Sequence, residues 1–217
     1  MIAIDLGRIG YVDALALQHR LVAARTDDRV DDVLVVCEHD PVYTVGRHAD
    51  HGNVLDAATI PVVRADRGGD VTYHGPGQVI VYPIIRLTGP RRVRAYVDAL
   101  LAACIRVAAD HGITAHAAAS RPGVWVGNDK LVAVGVRVQR GGTSHGLAFN
   151  VDPDFSHYAG IVPCGITDGG VCSLASLGVD TTVTATAATL VDALADTLDR
   201  PVRWVSPEDL DGVELAA

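Results

Sequence analysis

The stretch Arg67-Gly68-Gly69-Asp70-Val71-Thr72-Tyr73-His74-Gly75-Pro76-Gly77-Gln78 gathers four glycines, a proline, the charged or titratable side chains of Arg67, Asp70 and His74, and a hydroxyl pair into twelve positions. Glycine takes φ > 0 without strain and lets a backbone approach a bound group, so Gly68-Gly69 and Gly75-Pro76-Gly77 should bracket Asp70, Val71, Thr72, Tyr73 and His74 between two tight bends. The bracketed residues can line a pocket. They can equally form a plain hairpin turn, because Gly and Pro punctuate most loops. Val62-Val63 reads as a strand entering the stretch, and residues 78–87 read as a strand leaving it, with Val79, Val81 and Ile85 alternating in part.

Toward the N-terminus, residues 2–5 read as a short strand and residues 12–25 as a helix with Ala14, Leu17, Leu21 and Ala24 on one face. Residues 33–37 form a continuous apolar, mostly β-branched run, the pattern of a strand buried on both faces. Asp40-Pro41 interrupts the chain, residues 42–45 resume extended structure, and residues 49–58 read as a loop or a short helical turn. On the other side, Gly89-Pro90 sets up a helix over residues 91–111. Its apolar positions Val93, Val97, Leu100, Leu101, Cys104 and Val107 keep helical spacing, and Gly112 supplies a stop. Residues 124–126, 130–139 and 143–151, joined by Gly/Asn/Asp turns, read as an antiparallel meander. A second long helix spans residues 182–200, residues 202–205 suggest a last strand, and residues 206–217 form an acidic tail. The fold class is α/β of the α+β type: a largely antiparallel mixed sheet with about three packed helices, in one domain over residues 1–217.

Composition narrows the function. A formal net charge of −8 argues against a nucleic-acid binder, which needs a concentrated basic face. Arg86, Arg91, Arg92 and Arg94 form a local exception that could meet an acidic protein, or simply flank a solvated helix start. No apolar run approaches the roughly 20 residues that span a bilayer, and no basic segment leads into an apolar one at the N-terminus. No membrane partner and no signal peptide are therefore read, and a cytoplasmic monomer is expected. Cys37, Cys104, Cys164 and Cys172 contain no CxxC pair, and the nine histidines show no metal-ligand spacing, so no metal is expected. Cys37 and Cys104 lie on apolar faces and read as core residues.

Three polar positions can carry chemistry. Cys164 lies in Ile161-Val162-Pro163-Cys164-Gly165-Ile166, where a proline before and a glycine after the thiol fix it on a rigid bend; a buried structural cysteine is the alternative. Lys130 opens the apolar strand Lys130-Leu131-Val132-Ala133-Val134-Gly135-Val136. Apolar neighbours desolvate an amine and suit it to proton exchange, whereas a hairpin corner would leave it on the surface. His145 and His74 can orient substrate, share protons or serve structure.

The three blocks 67–78, 130–137 with 144–151, and 161–166 together resemble, in order and spacing, the lipoyl (octanoyl) transferase family, over about residues 34–177. The resemblance implies the fold of the biotin protein ligase and lipoate ligase catalytic domain. It implies transfer of an octanoyl group from octanoyl-acyl carrier protein, where phosphopantetheine carries it, to a lysine of lipoyl domains. The acceptors would be lipoyl domains of 2-oxoacid dehydrogenase complexes and the glycine cleavage H protein, with no further cofactor. By the same resemblance Cys164 corresponds to the acyl-thioester cysteine and Lys130 to the lysine that tunes it. Arg67, Gly68, Gly69, Asp70, Val71, Thr72, Tyr73, His74, Ala133, Val134, Gly135, Gly146, Leu147 and Ala148 correspond to the acyl-pocket segments. The chain departs from the family pattern at Cys172, where a hydroxyl residue is more usual, which leaves open whether a second thiol lies near the site. Two other readings remain: an ATP-dependent lipoate or biotin-type ligase, and a non-catalytic acyl-binding protein on the same fold.

Overall fold

The computed structural model describes all residues except 48, 50, 58–59, 90–91, 119–120, 163–168 and 210–217, and the side chain of His51. Its centre is β2 (Val33–His39), whose unbroken apolar run is used on both faces because successive side chains alternate. Val33, Val35 and Cys37 pack under α1 (Tyr11–Thr26) with Leu17 and Leu21. Leu34 and Val36 face the opposite core, built with Leu100, Cys104 and Val107 of α2 (Arg92–Asp110) and Leu190, Val191 and Leu194 of α3 (Val183–Thr197). The Thr182 hydroxyl caps α3 by accepting from the Ala185 N–H at 3.1 Å.

Seven further strands join β2: β1 (Ile2–Ile9), β6 (Gln78–Ile84), β7 (His116–Ala118), β8 (Arg121–Val126), β9 (Asp129–Gln139), β10 (Gly142–Asn150) and β11 (Arg203–Trp204). Their order is β11-β1-β2-β6-β10-β9-β8-β7, parallel among the first three and antiparallel from β2 onward. The meander expected from the turn residues is β8-β9-β10. A smaller sheet, β4-β3-β5, contains β3 (Val42–Val45), β4 (Val62–Arg64) and β5 (Val71–His74).

Two local expectations give way to tertiary pairing. β1 continues to Ile9 rather than ending near residue 5, because Arg8 and Ile9 pair with Glu38 and His39 beyond a register shift. The glycine stretch is no hairpin within one sheet. β5 belongs to the small sheet and β6 to the large one, and the bend 75–77 carries the chain between them. Gly77 makes this possible: its φ is +87°, and a Cβ there would collide with the Asp152 carbonyl.

Of the arginine group, Arg86 is ion-paired with Asp28, Arg94 with Asp98 one helical turn on, and Arg92 reaches the Leu87 carbonyl. Arg91 and residues 210–217 of the acidic tail lie outside the described residues. No described helix is long and apolar enough to cross a membrane.

Candidate active site

Between the two sheets lies a cavity of about 250 Å³ with a predominantly apolar lining. Strand periodicity divides β5 between two environments. Thr72 and His74 face the cavity, whereas Val71 and Tyr73 face the small core with Tyr43, Val45 and Ile161; the Tyr73 hydroxyl also meets His157 Nδ1 at 2.7 Å. Opposite β5 the floor is made of small residues in register. Gly135 of β9 pairs with Gly146 of β10, and Ala133 with Ala148. A Cβ on Gly135 would stand 3.1 Å from the Gly68 carbonyl and 3.2 Å from Arg67 Cδ, so a larger side chain here would fill the slot.

Arg67 holds the glycine stretch over this floor. Its buried guanidinium donates through Nη2 to the Thr44 carbonyl and hydroxyl, both at 2.7 Å, while the Gly68 N–H bonds the Val136 carbonyl at 3.0 Å. Asp70 is fixed by Asn53 Nδ2 at 2.6 Å. The cavity thus brings together Arg67, Gly69, Asp70, Thr72, His74, Ala133, Val134, Gly135, Gly146, Leu147 and Ala148, while Gly68, Val71 and Tyr73 act from behind the lining.

A wall of rings closes one side. His39 sits between the Ile9 carbonyl at 2.8 Å (Nδ1) and the Tyr82 hydroxyl at 2.7 Å (Nε2). A carbonyl can only accept, which places the proton on Nδ1 and makes Nε2 the acceptor from Tyr82. His74 lies nearly parallel to Tyr11, with centroids 6.1 Å apart. Burial, reinforced by His39 and Arg67, pushes the His74 imidazole well below its ordinary range, and burial raises Tyr11 to about 12. Both rings are therefore neutral at physiological pH. His145 joins the lining at φ +56° and meets Asp66 through Nε2 at 2.6 Å; burial, with the neighbouring Arg67, His19 and Arg137, holds it at about 3. Tyr11, Tyr82 and Pro122 carry no sequence signal for this role. A tyrosine opening a helix or ending an apolar strand suits an ordinary core equally well.

Lys130 is at the β8-β9 corner, yet it is 5% exposed. The segment after Cys164 covers it: the Lys130 N–H donates to the Gly170 carbonyl at 2.9 Å, and its carbonyl accepts from the Cys172 N–H at 3.0 Å. Its Nζ lies 4.7 Å from the centre of the Trp125 ring. Its aliphatic stem passes over Gly123, where φ is +131° and a Cβ would press on the Val132 carbonyl; the neighbouring residue, Pro122, lines the cavity. Cys164 lies outside the described residues. Its flanks are anchored, Val162 by a hydrogen bond from its N–H to the Asn53 carbonyl at 2.8 Å and Gly170 at Lys130.

Cys172 is buried, its thiol 3.6 Å from the Asp129 carbonyl and pushed up to about 12 by burial and the Asp129 carboxylate. It is a packed thiol rather than a nucleophile at neutral pH. Cys37 and Cys104 are buried, with thiols raised by desolvation. Two backbone donors of the bend are engaged within the chain: the Gly75 N–H by Gln78 Oε1 at 3.3 Å and the Gly77 N–H by Glu38 Oε2 at 2.8 Å. Among the described residues no three His, Cys, Asp or Glu side chains converge as a metal site.

Residues 10–195 match the family model of the lipoyl protein ligase A/B catalytic domain. The octanoyltransferase of Gloeobacter violaceus is 47% identical over 167 residues, covering 76% of this chain and 75% of that one. That of Citrifermentans bemidjiense is 44% identical over 181 residues, covering 83% and 86%. Among solved structures, lipoate-protein ligase A bound with ATP superposes with a TM-score of 0.78 at 16% identity, covering 94% of this chain and 87% of that one. A biotin protein ligase of Aquifex aeolicus in complex with biotin gives 0.54 at 12% identity, covering 92% and 70%. At such identities the last two show a shared fold.

Proposed function

The chain belongs to the octanoyltransferase family and transfers octanoyl groups in protein lipoylation, and from that premise we propose that Cys164 carries the acyl group as a thioester and Lys130 manages its protons. The donor in this reading is octanoyl-acyl carrier protein. The acceptor is a lysine amine of a lipoyl domain, such as those of 2-oxoacid dehydrogenase complexes or the glycine cleavage H protein. No cofactor beyond the carrier's phosphopantetheine takes part.

In the first half, Cys164 gives its proton to Lys130 and its sulfur attacks the thioester carbonyl. The carrier's thiolate leaves with the proton returned by Lys130. In the second half the acceptor amine attacks the acyl-enzyme, Lys130 takes a proton from that amine, and the amide forms as the Cys164 sulfur departs. Thioester exchange is close to thermoneutral and amide formation runs downhill, so no ATP is needed. The small-residue floor of β9 and β10 takes the alkyl chain; at about 0.8 kcal/mol per buried methylene, eight carbons supply several kcal/mol of binding.

The observation that carries this reading is the placement of Lys130, desolvated beside an apolar slot on a strand hydrogen-bonded to the segment that follows Cys164. Intact mass spectrometry tests it. Incubation with octanoyl-carrier protein, without ATP, should add one octanoyl group to the wild type and none to Cys164→Ala. The adduct should then move to a lipoyl domain, and Lys130→Ala should slow both halves. An adduct or transfer that requires ATP would favour the ligase reading, and equal inertness of wild type and Lys130→Ala would favour a binding protein.

A further inference from the structure

Two buried amides occupy the junction of β6 and β10, where their strand neighbours Val79 and Phe149 belong to the main hydrophobic core. Gln78 opens β6, Asn150 closes β10, the two pair in register, and they are 1% and 4% exposed. Gln78 Nε2 donates to Asn150 Oδ1 at 2.9 Å and to the Tyr158 hydroxyl at 3.0 Å, and its Oε1 accepts from the Gly75 N–H at 3.3 Å. Asn150 Nδ2 donates to the Cys172 carbonyl at 2.9 Å and to the Lys130 carbonyl at 3.5 Å, while its Oδ1 also accepts from the Tyr158 hydroxyl at 3.5 Å. Backbone carbonyls can only accept, which fixes the end of the Asn150 amide that carries nitrogen.

The partners of this pair converge from the segments that the proposed chemistry needs. Tyr158 precedes Cys164 in the chain, Cys172 follows it, Lys130 opens β9, and Gly75 lies in the bend after His74. The pair therefore ties both flanks of the Cys164 segment to the Lys130 strand and to the glycine stretch. Backbone bonds run alongside it, from the Cys172 N–H to the Lys130 carbonyl at 3.0 Å and from the Leu174 N–H to the Asn150 carbonyl at 3.1 Å. Burying two amides costs free energy that two apolar side chains would not. A satisfied network of this kind contributes rigidity and one defined arrangement.

We propose that Asn150, acting with Gln78, is a positioning residue for the acyl transfer: it fixes the flanks of Cys164 against the Lys130 strand and so sets the spacing at which thiol and amine exchange a proton. This rests on the acyl-transfer reading above. Neither amide belongs to the cavity lining, so the pair acts on the chemical step and leaves binding of the acyl chain unchanged. A displacement of about 1 Å between reacting groups costs up to about 100-fold in rate.

The test is single-turnover formation of the octanoyl-enzyme from octanoyl-carrier protein, followed by intact mass. Wild type, Asn150→Leu, Tyr158→Phe and Lys130→Ala are compared with the two double variants that contain Lys130→Ala. Asn150→Leu keeps the side-chain size and removes its hydrogen bonds, whereas Tyr158→Phe deletes one oxygen, spares the packing and serves by itself should the first variant not fold. The limiting rate should fall about 10- to 100-fold in Asn150→Leu and about 3- to 10-fold in Tyr158→Phe, with the half-saturating donor concentration within about threefold of wild type. In the Lys130→Ala background both losses should shrink below about twofold, because the amine whose placement they disturb is gone. Amide hydrogen exchange at Cys172 and Leu174 should quicken by at least about tenfold in Asn150→Leu and about threefold in Tyr158→Phe, with α2 unchanged. A raised half-saturating concentration at an unchanged limiting rate, losses of equal size with and without Lys130, or unchanged exchange overturns the proposal. A wild type that forms no octanoyl adduct, or a Lys130→Ala enzyme as fast as wild type, would instead strike the acyl-transfer reading, and the exchange rates would still decide whether the amide pair holds the segment.

Discussion

Replacing His145 by Asn should flatten the pH dependence of stability between pH 7 and 5. His145 is 1% exposed and its native pKa is held at about 3 against an ordinary value of 6.5, so the unfolded chain takes up a proton in this interval and the folded one does not. Stability then falls as pH falls, with the loss starting near 6.5 and continuing toward 3. Integrating the single-site titration from pH 7 to 5 gives a loss of about 2 kcal/mol attributable to this one imidazole. Asn suits the test because it tolerates the left-handed backbone at φ +56° and cannot titrate. Urea unfolding of both proteins at pH 7, 6 and 5 supplies the difference, with the other titrating groups cancelling between them. The opposite sign would refute the reasoning. If Asp66, 2.6 Å from Nε2, held an imidazolium rather than accepting from a neutral ring, wild type would gain stability over the variant on acidification.

Other outcomes follow from the same geometry. At pH 8, iodoacetamide should label Cys164 alone, because Cys172 is raised to about 12 and Cys37 and Cys104 are buried; peptide mass spectrometry showing Cys172 modified at a similar rate would contradict this. Gly135→Val should lower kcat/KM for octanoyl-carrier at least tenfold more than for a butanoyl-carrier, since its side chain enters the slot between Gly68 and Arg67; equal losses would mean that the acyl chain does not run over β9. Gly77→Ala should destabilise by more than about 1 kcal/mol in urea unfolding, through its positive φ and the collision with Asp152, and an unchanged midpoint would count against the bend as drawn.

Much of the architecture was legible in local pattern. The unbroken apolar run of β2, the helical spacing of Leu100, Cys104 and Val107, and the turn residues between β8, β9 and β10 each state how a segment buries its side chains, and that requirement follows from residue order alone. The glycine stretch, Lys130 and Cys164 were likewise visible as chemistry-bearing residue types. Pairing across long sequence distances decided the remainder. Nothing near Gly75-Pro76-Gly77 says that its two strands join different sheets, and nothing near Lys130 says that residues 170–172 will cover it. Tyr11 and Tyr82 reach one cavity only because α1 packs across β6 and β10. Periodicity records which face of a segment avoids water, whereas the identity of the surface that covers that face depends on how all the segments satisfy one another at once.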